Sequence, residues 1–318
     1  MIPPQRRPEP LARAIASVFA QTGADLADAE LVIADNDVAP SARAVVEALR
    51  AGAPLPLVYV HEPRPGVSTA RNAAVAAAQG RLLAFLDDDQ EASPRWLHEL
   101  LAARDRLDAQ AVFGPVRAAL APSVRRHRRY FERFFTHGGP AQEGLSPRSY
   151  GAGVCLIVRA ALPDPLRPFA ETRNLTGGED DALFAEMMAR GARMGWNPHA
   201  FVWERPDPAR VTLSYAMRRT FVYGQGGTNG RLLRTPPDRV GAVFSVASGA
   251  VQALVLGAVS AGLWAVRWPD RAFAYDKALR GLGKVLFAPR FRLQFYGLAP
   301  QERAGGLVSR AEAARPSA

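Results

Sequence analysis

In the first third of the chain, three short apolar runs alternate with segments of helical spacing: Leu31-Val32-Ile33-Ala34, Leu57-Val58-Tyr59-Val60 and Leu82-Leu83-Ala84-Phe85-Leu86. Runs of this length, bounded by polar residues or by Gly and Pro, read as buried strands. Between them, Leu11, Ile15, Val18 and Phe19 recur at helical spacing after Pro8 and Pro10, and Ser68 is placed to cap an alanine-rich helix that Gly80 ends. The alternation predicts an α/β fold, a Rossmann-like, mostly parallel mixed sheet flanked by helices. At 318 residues and 48% hydrophobic composition the chain can bury such a core. Further strands are expected at Ala111-Val112-Phe113 and over residues 154–158; residues 118–150, rich in Arg, His, Gly and Pro, read as a loop-rich insertion.

Sheets of this kind bind ligands in the crevice beyond the carboxyl ends of their strands. Two of the strands run directly into acidic residues, Asp35-Asn36-Asp37 and Asp87-Asp88-Asp89, so both clusters are expected to face one cleft. Mg2+ and Mn2+ take oxygen ligands, commonly one or two carboxylates together with substrate phosphates, which Asp87 and Asp89 could supply. An acidic triple after a strand is equally the mark of a solvated turn or a helix cap. Arg71 and Asn72 fall in the first turn of the alanine-rich helix, where a guanidinium and backbone donors suit a diphosphate. The alternative for Arg71 is an ion pair with a structural carboxylate. Gly177-Gly178-Glu179-Asp180-Asp181 opens an amphipathic helix carrying Leu183, Phe184, Met187 and Met188, and acids are ordinary at such a helix start.

A formal charge of +10 calls for an anionic partner: substrate phosphates, an acidic membrane surface or nucleic acid. Arg125-Arg126-His127-Arg128-Arg129-Tyr130 mixes charge with aromatics, but no nucleic-acid module accompanies it; a solvated or lipid-headgroup-facing loop is expected, and no nucleic acid. The histidines, at 61, 98, 127, 137 and 199, lack the spacing of a zinc site. Gly224-Gln225-Gly226-Gly227 follows a helix and lacks the Lys-Ser/Thr ending of a phosphate loop. The only cysteine, Cys155, lies in an apolar run and reads as a small buried hydrophobe in a reducing compartment. The N-terminus has no apolar core of signal-peptide length, which predicts a cytoplasmic protein.

From Val240 to Val266 there is no charged residue, a stretch longer than the ~20 residues that cross a bilayer. Its glycines, serines, alanines and Gln252 weaken a crossing. Basic residues flank both sides, Arg231, Arg234 and Arg239 before it and Arg267, Arg271, Lys277, Arg280 and Lys284 after it, so one crossing would leave a basic tail outside. A membrane-embedded hairpin or an interfacial helix pair is expected, against a buried soluble helix.

Ala84-Phe85-Leu86-Asp87-Asp88-Asp89-Gln90 resembles the DxD region of family-2 glycosyltransferases, which have the GT-A fold. Leu31-Val32-Ile33-Ala34-Asp35-Asn36-Asp37 is similar to that family's second strand and uracil-contacting acidic turn, and Gly66-Val67-Ser68-Thr69-Ala70-Arg71-Asn72-Ala73-Ala74 to its G-x-S-x-A-R-N-A segment. Asn36-Asp37, Ser41-Ala42, Phe113-Gly114-Pro115-Val116 and Gly177-Gly178-Glu179-Asp180-Asp181 resemble the branch of succinoglycan-type exopolysaccharide glucosyltransferases. Several motifs in the right order are more specific than any one alone. The resemblance implies a GT-A catalytic domain over residues 1–230 and a helical, apolar and basic membrane-associating region over 231–318.

The resemblance also implies a reaction: inverting transfer of a hexose, glucose in that branch, from a UDP-sugar to a lipid-linked saccharide acceptor, in exopolysaccharide or cell-surface glycan synthesis at the inner face of the cell membrane. Asp89 and Asp87 would then hold Mg2+ or Mn2+. Asp35, Arg71, Asp87, Asp88, Arg218 and Arg219 would meet the nucleotide sugar, Asp180 would be the general base, and Glu179 with Gly178 would bind the acceptor. Asp181 is a weaker substitute for either acid. Trp203-Glu204 and the segment from Arg218 to Gly224 are similar to the region that closes over the diphosphate. The chain departs from the family at its start, where only Met1-Ile2-Pro3 stands for a full apolar strand, and Pro4 and Gln5 take the places of a small hydroxyl and an aromatic residue. A start placed too late is the expectation, because losing a central strand would strand its neighbours' backbone groups. The rival expectation is a catalytically silent relative that binds membrane or protein.

Overall fold

The structure, a computed structural model, describes residues 8–174, 177–232, 236–291 and 293. The readings placed on Met1 to Gln5 and on Arg234 lie outside these residues. Helix α1 (Pro8–Phe19) begins on a proline, whose missing N–H costs nothing at a helix start, and buries Leu11, Ala14 and Ile15. Strands β1 (Leu31–Asp35), β2 (Leu57–His61) and β3 (Leu82–Leu86) fall on the three apolar runs, with α2 (Arg43–Arg50) and α3 (Val67–Ala77) between them. β1 and β2 pair in parallel, Leu31 opposite Leu57.

Ser68 does not cap α3. The helix starts one residue earlier, behind Gly66, whose φ of 144° suits glycine alone. Asn174 caps it from a distant loop: its Oδ1 accepts from the amides of Ser68 at 3.0 Å and Thr69 at 3.3 Å, while the Ser68 hydroxyl donates to the Ala170 carbonyl. The helix ends at Ala77, where Ala78 is already extended, before Gly80 is reached.

The chain continues through β4 (Gln90–Ala92), α4 (Trp96–Leu107), β5 (Ala111–Phe113), β6 (Val116–Ala118), α5 (Arg128–Phe135), β7 (Gly144–Ser146), β8 (Val154–Val158), α6 (Glu179–Ala189), β9 (Met194–Trp196) and β10 (Val202–Glu204). One sheet has the order β3-β8-β5-β9-β7 and another β4-β10-β6. The sheets are mixed and flanked by helices, as expected, but parallel pairing has a smaller share than the early rhythm implies. β1–β2, β5–β9 and β6–β10 run parallel, whereas β3–β8, β5–β8, β4–β10 and β7–β9 run antiparallel. The cause is long-range: β8, from beyond the insertion, returns between β3 and β5. Neighbouring residues along these strands feed two cores. Leu86, Val112 and Leu156 pack with α1 and α4, while Phe85, Phe113 and Ile157 pack with α6. Cys155 is fully buried there, and burial pushes its thiol up.

The insertion is more ordered than a loop. α5 turns Tyr130, Phe131 and Phe135 into a third core with Ala216, Met217 and Ala272, leaving its arginines to pair outward, Arg128 with Glu132 and Arg129 with Asp270. The partners come from α7 (Leu213–Leu232) and α9 (Arg271–Val285), which enclose α8 (Arg239–Ala265) in sequence. Asp276 of α9 accepts from the Tyr130 hydroxyl at 2.9 Å and from Thr220 at 2.5 Å. Within the glycine-rich stretch of α7, Gly224 serves packing: a Cβ on it would overlap the Arg280 carbonyl, as one on Gly283 of α9 would the Phe221 carbonyl, whereas Gly226 and Gly227 face open space. α8 is a single 27-residue helix, which replaces both the hairpin within 240–266 and the buried soluble helix. It contains no proline to break it, and most of its large apolar side chains are exposed.

Gly224→Leu should part α7 from α9. Loss of about 1–3 kcal/mol is expected from such overpacking, measured as a lowered unfolding midpoint and faster proteolysis beyond residue 232.

Candidate active site

The end of β3 delivers Asp87 to a cavity of about 180 Å³ whose walls include Gln90, His137, Tyr150, Gly153 and Glu204. Gln90 fixes the turn: its amide N donates to the Asp87 carbonyl at 3.1 Å, and its Oε1 accepts from the Asp87 amide at 3.2 Å. The pairing of β4 with β10 sets Glu204 opposite Gln90, and Arg205 N donates to the Asp89 carbonyl. Asp88 is buried. Asp89 accepts from Arg210 at 2.9 Å, and Arg210 also stands 3.5 Å from Glu204 and donates to the Tyr215 hydroxyl. Burial would pull this guanidinium down, yet Tyr215, Glu204 and Asp89 together hold it above its usual range.

The opposite wall is the start of α6. Gly177 and Gly178 both have left-handed backbones, φ 74° and 78°, a pair of turns that needs glycine. Glu179 then points inward and accepts from Arg71 at 2.6 Å, with both side chains under a tenth exposed. The other Arg71 nitrogen lies 3.5 Å from Asp87. The Arg71 guanidinium thus bridges the β3 end and α6, over the Phe169 ring, and a diphosphate would reach it only by opening one of these contacts. Withdrawal from water pushes the Asp87 carboxyl above its ordinary range, against the pull of Arg71 and with help from Asp89 and Asp180. Burial also raises Glu179, again opposed by Arg71.

Asp180 is held by backbone donors, Ala152 N at 3.2 Å and Asp181 N at 2.9 Å. The strip Gly151-Ala152-Gly153, ahead of β8, lies between the two acids. A Cβ on Gly151 would sit 3.3 Å from an Asp180 oxygen, and one on Gly153 2.5 Å from an Asp87 oxygen. The sequence reading missed this strip, although two glycines around an alanine before an apolar strand are its signal. His137 was missed too. It lines the cavity far from any motif, and burial, with Arg210 and Arg219 nearby, pushes its imidazole below the usual range. Asp181 is raised by burial and by Asp180.

Asp35 is fully buried, and its carboxylate accepts from Ala42 N at 2.7 Å, the Tyr59 hydroxyl at 2.8 Å, Asp37 N at 3.3 Å and Ser41 Oγ at 3.4 Å. It knits the turn from beneath. Asn36 ties that turn to α3 by accepting from Gly66 N at 2.9 Å, so the first acidic cluster is linked through α3 to Arg71 and Asp87. Arg218 and Arg219 are half-buried on α7; the Arg219 guanidinium lies over the Tyr223 ring. Among the described residues no three His, Cys, Asp or Glu side chains form a metal cluster. Two strand-end carboxylates fit a hard divalent cation that completes its shell with phosphate oxygens, and do not fit an all-protein cage.

The model of Glycosyl transferase family 2 matches residues 1–163. The succinoglycan biosynthesis protein ExoM of Rhizobium meliloti (strain 1021) is 37% identical over 228 residues, 72% of this chain and 72% of its own. Mannosyltransferase PcManGT from Pyrobaculum calidifontis, solved with GDP-Man and Mn2+, superposes with a TM-score of 0.59 at 18% identity, covering 90% of this chain and 86% of that one. S. aureus TarS, residues 1–349 with UDP, superposes with a TM-score of 0.50 at 16% identity, covering 90% and 88%. At such identities these two likenesses concern the fold.

Arg71→Met should cost about 3–5 kcal/mol in chemical unfolding, because it leaves Glu179 buried without its partner. Tyr59 gives a pH test. Burial and the hydrogen bond to Asp35 push its hydroxyl up to about 12. Since the unfolded value is about 10, its contribution to stability is complete below pH ~10 and lost as pH rises through 12. Ultraviolet titration should show this late tyrosine, and Tyr59→Phe should remove it.

Proposed function

The chain belongs to glycosyl transferase family 2, and from that premise we propose that it moves a hexose, glucose first among candidates, from a UDP-sugar to a hydroxyl of a lipid-linked saccharide, inverting the anomeric centre. The relative's role in succinoglycan biosynthesis supports a place in exopolysaccharide or cell-surface glycan synthesis. The observation that carries the reaction is the placement of Asp87 and Asp180 on either side of the Gly151-Ala152-Gly153 strip, with Arg71 and Glu179 bracing the gap.

In this reading Asp180 is the base. The acceptor oxygen forms its bond to the anomeric carbon, the hydroxyl proton passes to the Asp180 carboxylate, and the bond to the diphosphate breaks with its electron pair going to UDP. Two amides orient that carboxylate, and Glu179 and Gly178 line the acceptor side. Asp89 and Asp87 would hold Mg2+ or Mn2+, which when bound neutralises the charge growing on the leaving diphosphate. The Mn2+ bound by the mannosyltransferase of similar fold supports this choice. Arg210 pairs with Asp89 at 2.9 Å, so its guanidinium would stand beside a diphosphate held at that carboxylate. Arg218 and Arg219 supply further positive charge from α7, and Asp35 and Asp88 shape the nucleotide side. The working place is the membrane surface, a reading supported by the exposed apolar surface of α8, and its cytoplasmic face, a reading supported by the relative's role in succinoglycan biosynthesis.

With a panel of UDP-sugars and extracted lipid-linked saccharides, purified protein should release UDP only when Mg2+ or Mn2+ is added. Asp180→Asn should lower turnover by about 10²–10⁴-fold, as loss of a general base does. Asp89→Asn should weaken metal dependence and turnover together. Full turnover in both variants would sink the assignment.

A further inference from the structure

α8 is inside out for a protein in water. Its outward stripe repeats at helical spacing through Val240, Val243, Phe244, Val251, Leu254 and Val255, and Phe244 and Leu254 are each 75% exposed. The inward stripe is small or polar: Ala242, Gly249 and Ser260 are buried, Ser245 shares a hydrogen bond with Thr228, and Gln252 donates to the Lys277 carbonyl. A helix packed against a soluble body in water presents the reverse pattern, because burial of apolar area drives its docking. The medium that suits the outer stripe is hydrocarbon.

The same helix is tied to the body along its whole length. At its start Asp238 pairs with Arg231 of α7 at 2.7 Å. In the middle Gly249 meets the Gly281 backbone, and Lys284 donates to Gln252 at 2.9 Å. At its end Trp264 packs on His127, ahead of α5, and beneath the Arg271 guanidinium. α9 therefore runs antiparallel beside α8, bringing Arg271, Asp276, Lys277, Arg280 and Lys284 alongside it, and α9 is itself fastened to α7 and α5. A helix of this length, about 40 Å, could cross a bilayer only by dragging those charges into the acyl region or by leaving its neighbours.

We infer that α8 lies flat in one leaflet of an anionic membrane, its outer stripe among the acyl chains, and does not cross. The inference rests on the membrane association proposed above. Charge commits the surface to lipid: exposed Arg239 and Arg267 flank the stripe at its two ends, Lys277 and Arg280 are exposed on α9, and Trp268, more than half exposed, sits where an interfacial anchor belongs.

The test uses full-length protein carrying Phe244→Cys, Leu254→Cys or Ala261→Cys, each labelled with a fluorophore; native Cys155 is buried away from the reagent. Vesicles of phosphatidylcholine with phosphatidylglycerol contain lipids brominated at chosen depths. The three labels should be quenched at one shallow depth, and flotation should fall at least about tenfold in pure phosphatidylcholine or with Val243→Glu and Leu254→Glu combined, while UDP release in detergent persists. A deep Leu254 label between shallower ends, or reaction of any label with an impermeant reagent trapped inside the vesicles, means a crossing helix and overturns the inference. Labels shielded from lipid in a solution dimer mean that a second copy covers the stripe and overturn it as well. Failure to float at all refutes membrane association, leaving glycosyl transfer to be judged by UDP release.

Discussion

The buried contact of Arg71 with Glu179 is the joint on which the cleft depends. It fastens α3, which begins near the nucleotide-side turn, to α6, which carries the acid proposed as base, and its second nitrogen reaches the end of β3. Removing two such charges from water is costly unless each finds partners, so the pair fixes a geometry more than it adds stability. Asn174 reinforces the same joint by capping α3 from the segment that leads to α6. Two parts of the chain about a hundred residues apart thereby act as one rigid wall.

Much of this was legible in the sequence because local chemistry controls it. The strands before Asp35 and Asp87 were readable as apolar runs, and α6 from its glycines and its 3.6-residue apolar spacing. Pairing direction was not readable, since β8 enters the sheet from beyond the insertion and no local signal says so. The cap of α3 was misassigned to Ser68 for a similar reason: a remote asparagine outcompetes the local hydroxyl, which turns to the Ala170 carbonyl. His137 and Arg210 escaped notice because each is a lone residue whose place follows only from tertiary packing.

The proposed division at residue 230 meets a structural complication. α7 belongs to both parts, with Thr220 reaching Asp276, the Gln225 amide donating to the Leu286 carbonyl, and Gly224 in backbone contact with α9. The C-terminal helices complete the third core and are not an appendage, so the insertion helix α5 shares its support with the apolar region.

Gly153 has a use beyond this molecule. Because a single added carbon there would lie 2.5 Å from an Asp87 oxygen, that position acts as a gauge of the carboxylate's location. A related sequence bearing a larger residue at the matching place has to turn its strand-end carboxylate aside or shift the strip, and so can be sorted from those that keep this cleft without a structure of its own.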